Sequence, residues 1–79
     1  MAVKAFVLIE VAVGKTKDVV GAIRKVEGVQ SAEAVTGPYD VIAVIEKPDV
    51  NSIGDLVTRN IHSIGGIART VTCLTVSLG

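Results

Sequence analysis

The two halves of this chain, residues 1–37 and 38–79, repeat one order of hydrophobic patterns. Each half begins with a strongly apolar strand, continues with a helix whose apolar side chains recur every three or four residues, and ends with a second strand. The pattern predicts strands over 4–13, 29–36, 41–47 and 67–78, a helix over 17–27, and a second helix that begins after Asp49, Asn51 or Ser52 and runs to about 64. The chain therefore reads as βαββαβ, without a linker between the halves.

Local signals mark the ends of the predicted helices. Thr16 is the expected N-cap of the first helix, and Gly28 is its expected stop. One of Asp49, Asn51 and Ser52 is expected to cap the second helix, which Gly65-Gly66 would end. Both helices are therefore bounded by residues suited to those positions.

This element order predicts an α+β, ferredoxin-like sandwich, with one four-stranded antiparallel sheet and two helices on one face. Right-handed crossovers place strands one and three in the centre, and these two strands are apolar on both faces. The uncovered face would expose Val and Ile side chains over several hundred Å², against a usual ceiling of ~300–600 Å² for the largest apolar patch on a monomer. A second sheet packed about 10 Å away would bury it, so the pattern predicts a dimer through the open sheet face.

Composition excludes several classes of function. Lys+Arg and Asp+Glu balance at eight each, and the sheet lacks stacked aromatic residues, so direct binding of DNA or RNA is not expected. The longest apolar run, Val41 to Ile45, is too short for a bilayer, and no signal peptide is recognised, which favours the cytoplasm. One cysteine and one histidine argue against a disulfide, a structural zinc site or another cofactor. Cys73 is expected to be a buried, inert thiol.

Two short motifs are better explained by structure than by chemistry. Gly14-Lys15-Thr16 resembles the end of a phosphate-binding loop, but Ile9 stands where that loop needs glycine. His62 lies near the end of a helix with no motif for a nucleophile and an orienting acid around it. We therefore interpret the first as a strand stop and helix cap, the second as a solvated residue or one that interacts with the helix dipole.

The turn Thr36-Gly37-Pro38-Tyr39-Asp40, directly before the apolar third strand, has two interpretations. In the structural one, Pro38 stiffens the turn, Tyr39 covers an edge of the core and Asp40 bonds the local backbone. In the functional one, the Asp40 carboxylate accepts from a ligand ammonium, while amides near Gly37 meet a carboxylate. Hydroxyls early in the fourth strand could contribute too, which gives six candidate ligand-binding residues: Thr36, Gly37, Tyr39, Asp40, Thr70 and Thr72.

Three segments together resemble the effector-binding (RAM) domain of Lrp/AsnC, or feast/famine, transcription regulators: Gly28-Val29, Val35 to Asp40, and Gly65 to Thr72. The resemblance implies the ferredoxin-like fold, pairing through the sheets, and rings of four or five dimers. It also implies that amino acids or related small molecules bind between dimers, near Gly37, Tyr39 and Asp40. Regulators of this family place a helix-turn-helix before the domain. Here the first strand begins at residue 4, so we expect residues 1–79 to be a stand-alone effector domain.

The leading hypothesis is a small-molecule sensing and oligomerisation module, not an enzyme. It would bind an amino acid or metabolite between dimers and modulate full-length regulators by mixed assembly. One alternative is a small dimeric α+β barrel enzyme, whose acid or base would be Glu10, Asp40 or Glu46. The other is a purely structural oligomerisation domain. Ligand binding separates the first hypothesis from the last, and ligand turnover would indicate the enzyme.

Overall fold

The computed structural model describes residues 2–78 and has the predicted βαββαβ order. Its elements are β1 (Val3–Val11), α1 (Thr16–Arg24), β2 (Val29–Ala34), β3 (Val41–Lys47), α2 (Val50–Asp55) with a π-helix (Leu56–Ile61) directly after it, and β4 (Ile67–Leu74). The four strands form one antiparallel sheet in the order β2-β3-β1-β4. The ferredoxin-like fold is thus confirmed, with the two most apolar strands at the centre and β2 at an edge.

The core lies between one face of the sheet and the helices. Alternate residues of the central strands are buried on this face, Ala5, Val7 and Ile9 in β1 and Val41, Ala43 and Ile45 in β3. They pack against the apolar residues of α1, α2 and the π-helix, namely Val19, Val20, Ile23, Ile53, Leu56, Val57 and Ile61. The intervening residues of β1 and β3 point to the other face, as the period of two requires.

The first helix differs from its predicted bounds. Lys15, rather than Thr16, occupies the N-cap position and makes no side-chain cap, so the predicted cap is wrong. Because the amides of Lys25 and Val26 bond to carbonyls three residues earlier, the chain tightens after Arg24 and α1 ends before Glu27. Gly28 follows in a turn with φ of +100°, a conformation that favours glycine.

The second helix begins after Asp49, one of the three expected caps, and then changes type. The Asp49 carboxylate accepts a 2.8 Å hydrogen bond from the Ser52 amide, and this bond holds the pKa of Asp49 below its ordinary 3.8. The amide of His62 donates to the carbonyl of Val57 over 2.9 Å, the five-residue spacing of a π-helix. The sequence pattern predicted a continuous α-helix to Ile64 and did not reveal this change.

The reason for the π-helix lies in which residue must be buried. After Ile53, Leu56 and Val57, ordinary helical spacing would bring position 60 to the centre of the apolar stripe, and position 60 is asparagine. The wider π turn instead brings Ile61 into the core, fully buried, and leaves Asn60 exposed. Poorer helical hydrogen-bond geometry is therefore accepted so that a polar amide stays out of the core.

The strands β1 and β4 each end earlier in the sequence than predicted. A bulge between Glu10 and Val11 and a 2.7 Å hydrogen bond from the Ala12 amide to the Gly66 carbonyl end β1, so Val13 is fully exposed instead of lying on a strand face. At the other end, the Thr75 amide and hydroxyl both donate to the Lys4 carbonyl, each over 3.0 Å. Since β1 begins at Val3, the chain after Thr75 has little of β1 left to pair with, and β4 ends at Leu74.

Arg24 fastens α1 to the edge of the sheet. Its Nε donates to the Ala32 carbonyl of β2 over 3.0 Å, and its guanidinium lies 3.6 Å from the Glu33 carboxylate. The pairing of β2 with β3 also shifts register between Val29 and Ser31, which interrupts the regular ladder of the edge strand. This edge of the sheet is therefore irregular and partly occupied by a side chain.

Candidate functional site

Asp40 joins the turn between β2 and β3 to the end of β1. Its Oδ2 accepts a 2.8 Å hydrogen bond from the Val11 amide, and its own amide donates to the Ile9 carbonyl over 2.9 Å. Its carbonyl accepts from the Val35 amide, also over 2.9 Å, which closes the turn. The carboxylate therefore bonds backbone 29 residues away, and not the local backbone that the structural interpretation assumed. A carboxylate has about four acceptor positions, so this bond leaves others for a ligand.

The tip of the turn projects into solvent. Thr36, Gly37 and Pro38 are exposed, while Tyr39 and Asp40 are half-buried at its base. Gly37 has φ of +139°, and a Cβ built on it would meet no atom within 4 Å, so the backbone alone demands glycine here. An exposed tip over an anchored base is an arrangement that a second molecule can reach without disturbing the sheet.

The structure places Thr70 and Thr72 apart from the turn. They pair with Ile9 and Val7 of β1, so both lie on the helix side of the edge strand β4. Thr72 contributes to a groove of about 320 Å³ beside α2, which also contains Val50 and Leu74 but no residue of the turn. Within one protomer the six candidates thus form two groups, the turn and the threonine pair, with β1 between them.

Thr70 has a partner that the sequence did not indicate. Its Oγ1 lies 2.8 Å from Nε2 of His62, just after the π-helix. A hydroxyl beside an imidazole can be a nucleophile and its base, but catalysis also needs a third group that orients the base. Among the hydrogen bonds of residues 2–78, this is the one that the His62 side chain makes. His62 is exposed, as expected of a solvated residue, and the pair additionally joins the helix end to β4.

The face of the sheet away from the helices carries a continuous apolar patch. Across the strands, Phe6 lies opposite Val44 and Cys73, and Leu8 lies opposite Ile42 and Val71. Phe6 is 36% exposed, and the cysteine thiol expected to be buried is exposed because it lies on this face of an edge strand. The apolarity of both faces of the central strands is confirmed.

Charged residues surround this patch. Glu10 and Arg69 form an ion pair at 3.5 Å at one end, and at the other the Lys4 ammonium lies 5.3 Å from the centre of the Phe6 ring. Lys4 pairs across the strands with Glu46. An apolar centre with a charged rim is the usual composition of a protein interface. Two of the acids considered for an enzyme, Glu10 and Glu46, therefore lie at the rim of this open face.

Two features are absent from the part of the chain that the structure describes. Within residues 2–78, no group of three His, Cys, Asp or Glu side chains is placed to hold a metal ion. Among the helices of that same part of the chain, none combines the length and apolarity needed to cross a membrane.

Comparison with known proteins gives a consistent result. A family model described as the Lrp/AsnC ligand binding domain matches residues 4–77. The structure of TTHA0845 from Thermus thermophilus is similar with a TM-score of 0.92 and 35% identity, over 98% of this chain and 96% of that one. The hypothetical protein PHS023 from Pyrococcus horikoshii is similar with a TM-score of 0.87 and 27% identity, over 98% of this chain and 92% of that one. No curated protein matches the chain significantly.

A longer regulator shares the same fold. The transcriptional regulator NMB0573 from Neisseria meningitidis, solved as a complex with L-Met, is similar with a TM-score of 0.85 and 19% identity. The match covers 96% of this chain but 51% of the regulator, so the chain spans about half of that protein. At this identity the similarity shows the fold alone.

Proposed function

Because the chain belongs to the Lrp/AsnC ligand-binding domain family, we propose that it is a sensing and oligomerisation module that binds an amino acid or a related metabolite. Its role is regulatory and linked to transcription, without catalysis and without DNA binding of its own. The observation that carries this proposal is the match of the family's ligand-binding domain across residues 4–77, nearly the whole chain.

The ligand would lie at the turn, between dimers. The NMB0573 regulator, which shares this fold, was solved with L-Met, an amino acid. Asp40 offers a carboxylate whose Oδ2 is already fixed by Val11, so its direction is set before a ligand arrives. A ligand ammonium would bond the remaining acceptor positions, and the exposed amides near Gly37 would meet the ligand carboxylate. Tyr39 and Thr36 would then lie at the sides of the ligand.

A neighbouring dimer would complete this site. Thr70 and Thr72 lie away from the turn of their own protomer. They would therefore contact the ligand only at the turn of another subunit, or lie beside the site without contacting the ligand. Dimers would form through the apolar open face, and rings of dimers would place turns beside other subunits. Mixed assembly with full-length regulators in the cytoplasm would pass the ligand's effect to transcription.

Calorimetric titration of each of the twenty amino acids into the assembled protein tests this function. Saturable binding of at least one amino acid, with no chemical change in the recovered ligand, is the expected result. Absence of binding across the set would favour the purely structural oligomerisation domain. Recovery of a converted ligand would favour the enzyme.

A further inference from the structure

A second cleft lies at the other end of the sheet from the turn. It has a volume of about 270 Å³ and is bounded by the end of α1, the π-helix and Lys47. Lys47 is the last residue of β3, whereas Asp40 directly precedes that strand, so the seven-residue strand separates the two places by about 20 Å. A ligand held by the turn therefore does not reach this cleft.

The cleft combines an apolar base with charges of both signs. Val26 and Leu56 provide the apolar surface. The polar lining includes Glu27, Lys47, Asp55, Arg59 and Asn60. Its volume of about 270 Å³ is close to the lower end of the ~300–1,000 Å³ that is typical of small-molecule pockets.

The π-helix determines which groups line the cleft. In an α-helix, position 60 would turn towards the core, as the spacing from Ile53 and Leu56 requires. Because Ile61 takes the buried place, Asn60 stays at the surface, where it lines the cleft beside Arg59.

The π-helix also affects how two opposite charges are arranged. Asp55 precedes Arg59 by four residues, a spacing at which an acid and a base normally pair on an α-helix. The ion pairs within residues 2–78 are instead Arg24–Glu33 and Arg69–Glu10. A carboxylate and a guanidinium therefore line one small cleft without neutralising each other at contact distance.

Gly28 allows the cleft to take this shape. With φ of +100°, it lets the loop after α1 approach the second helix closely. A Cβ at this position would lie 2.8 Å from Cδ1 of Leu56 and 3.0 Å from Cδ of Lys47. Leu56 at the base of the cleft and Lys47 at its wall therefore pack directly against the backbone of Gly28.

From these observations we propose that the cleft binds an α-amino acid as a zwitterion, within a single protomer and independently of assembly. Arg59 binds the ligand carboxylate, for which its planar guanidinium is suited, and Asn60 donates a further hydrogen bond. Asp55 and Glu27 accept from the ligand ammonium, and the ligand side chain lies against Val26 and Leu56. The choice of an amino acid as the ligand rests on the proposed function. The cleft, however, is a different binding position from the turn.

Amide chemical shifts of the isotopically labelled protein, followed while each free amino acid is added at millimolar concentration, test the proposal. We expect shifts at Glu27, Leu56 and Asn60. The methyl ester and the N-acetyl derivative of an amino acid that binds each lack one charge, and both should bind at least tenfold more weakly. Equal binding of either derivative would overturn the assignment to a zwitterion.

Substitutions separate this site from the turn. Arg59→Gln or Asp55→Asn should weaken binding at the cleft by about ten- to a hundredfold, because each removes a charge-assisted hydrogen bond. Lys17→Gln, which removes an exposed charge outside the cleft, is the matched control and should leave binding unchanged. The spectrum of each variant without ligand reports whether the fold is retained.

The possible outcomes are distinct. Cleft shifts that disappear in Arg59→Gln and persist in Asp40→Asn support the proposal. Shifts confined to the turn, sensitive to Asp40→Asn and not to Arg59→Gln, would overturn it while the proposed function remains. A complete lack of response to all twenty amino acids would overturn both.

Discussion

Oδ2 of Asp40 accepts a hydrogen bond from the Val11 amide over 2.8 Å, across 29 residues of sequence. The bond spans from the turn before β3 to the last residue of β1, so one side chain fixes the turn to the central strand. The same carboxylate of Asp40 therefore has a structural role and a proposed ligand-binding role. They are separable because an asparagine keeps an acceptor oxygen for Val11 and loses the charge.

Two substitutions of Asp40 should have different effects. Asp40→Asn should weaken amino acid binding at the turn about ten- to a hundredfold, since a bond to a ligand ammonium contributes roughly 1.5–3 kcal/mol, and should leave the dimer intact. Asp40→Ala should also lower the free energy of unfolding by about 1–3 kcal/mol, because the Val11 amide loses its partner. Calorimetry and urea unfolding measure the two effects. Equal ligand affinity in wild type and Asp40→Asn would leave Asp40 with its structural role alone.

The open sheet face should form a dimer. Light scattering should report at least a dimer at micromolar concentration, because Phe6, Leu8 and Val44 belong to an apolar patch that a monomer would leave in water. Val44→Glu should shift the equilibrium towards monomer by placing a charge in the interface. Val13→Glu, at a fully exposed position outside this face, is the matched control and should not. A stable wild-type monomer would contradict the proposed assembly.

Three glycine-to-alanine substitutions should rank in a defined order of stability. Gly28→Ala should cost the most, about 2–4 kcal/mol, because it combines an unfavourable φ with a Cβ 2.8 Å from Leu56. Gly37→Ala should cost about 1–2 kcal/mol, since only its φ of +139° opposes alanine. Gly21→Ala, inside α1 with open space around the new Cβ, should stabilise by about 0.5–1 kcal/mol. Urea unfolding gives the order, and an equal cost at Gly28 and Gly37 would show that the packing on Leu56 relaxes freely.

Binding of duplex DNA by this chain should be weak or absent. The formal net charge is zero, and the exposed surface of α1 carries acidic residues such as Asp18 beside its basic ones. A gel-shift titration at two salt concentrations measures this. A sub-micromolar, salt-sensitive shift would contradict the prediction, and a basic DNA-binding domain run in parallel is the positive control.

The parts of the fold that depend on local pattern could be predicted from the sequence. The bounds of β3 and the central position of β1 and β3 follow from periodicity, and capping chemistry narrows the second helix's cap to three residues that include Asp49. The π-helix could not be predicted, because isoleucine at position 61 also fits the flank of an α-helical stripe. Only the packing of the whole second helix decides between Asn60 and Ile61.

Side-chain contacts between segments that are distant in sequence could not be predicted either. The turn was recognisable as a candidate site from its residue types, but its attachment to Val11 depends on how β1 and β3 align. The contact of His62 with Thr70 likewise requires that the helix end and β4 meet. Cys73 is exposed because it lies on the face of β4 away from the helices, and the sequence did not indicate that this face holds Cys73.

The Arg24 contact with β2 has a consequence for solubility. An edge strand offers main-chain groups on which further strands of other molecules can add, and this is the start of fibrillar aggregation. In β2 the guanidinium of Arg24 already bonds the Ala32 carbonyl, and the register shift near Ser31 breaks the regular spacing that an incoming strand would need. A chain that is 49% hydrophobic is thus protected, along this side, from growing into an extended intermolecular sheet during synthesis or at high concentration.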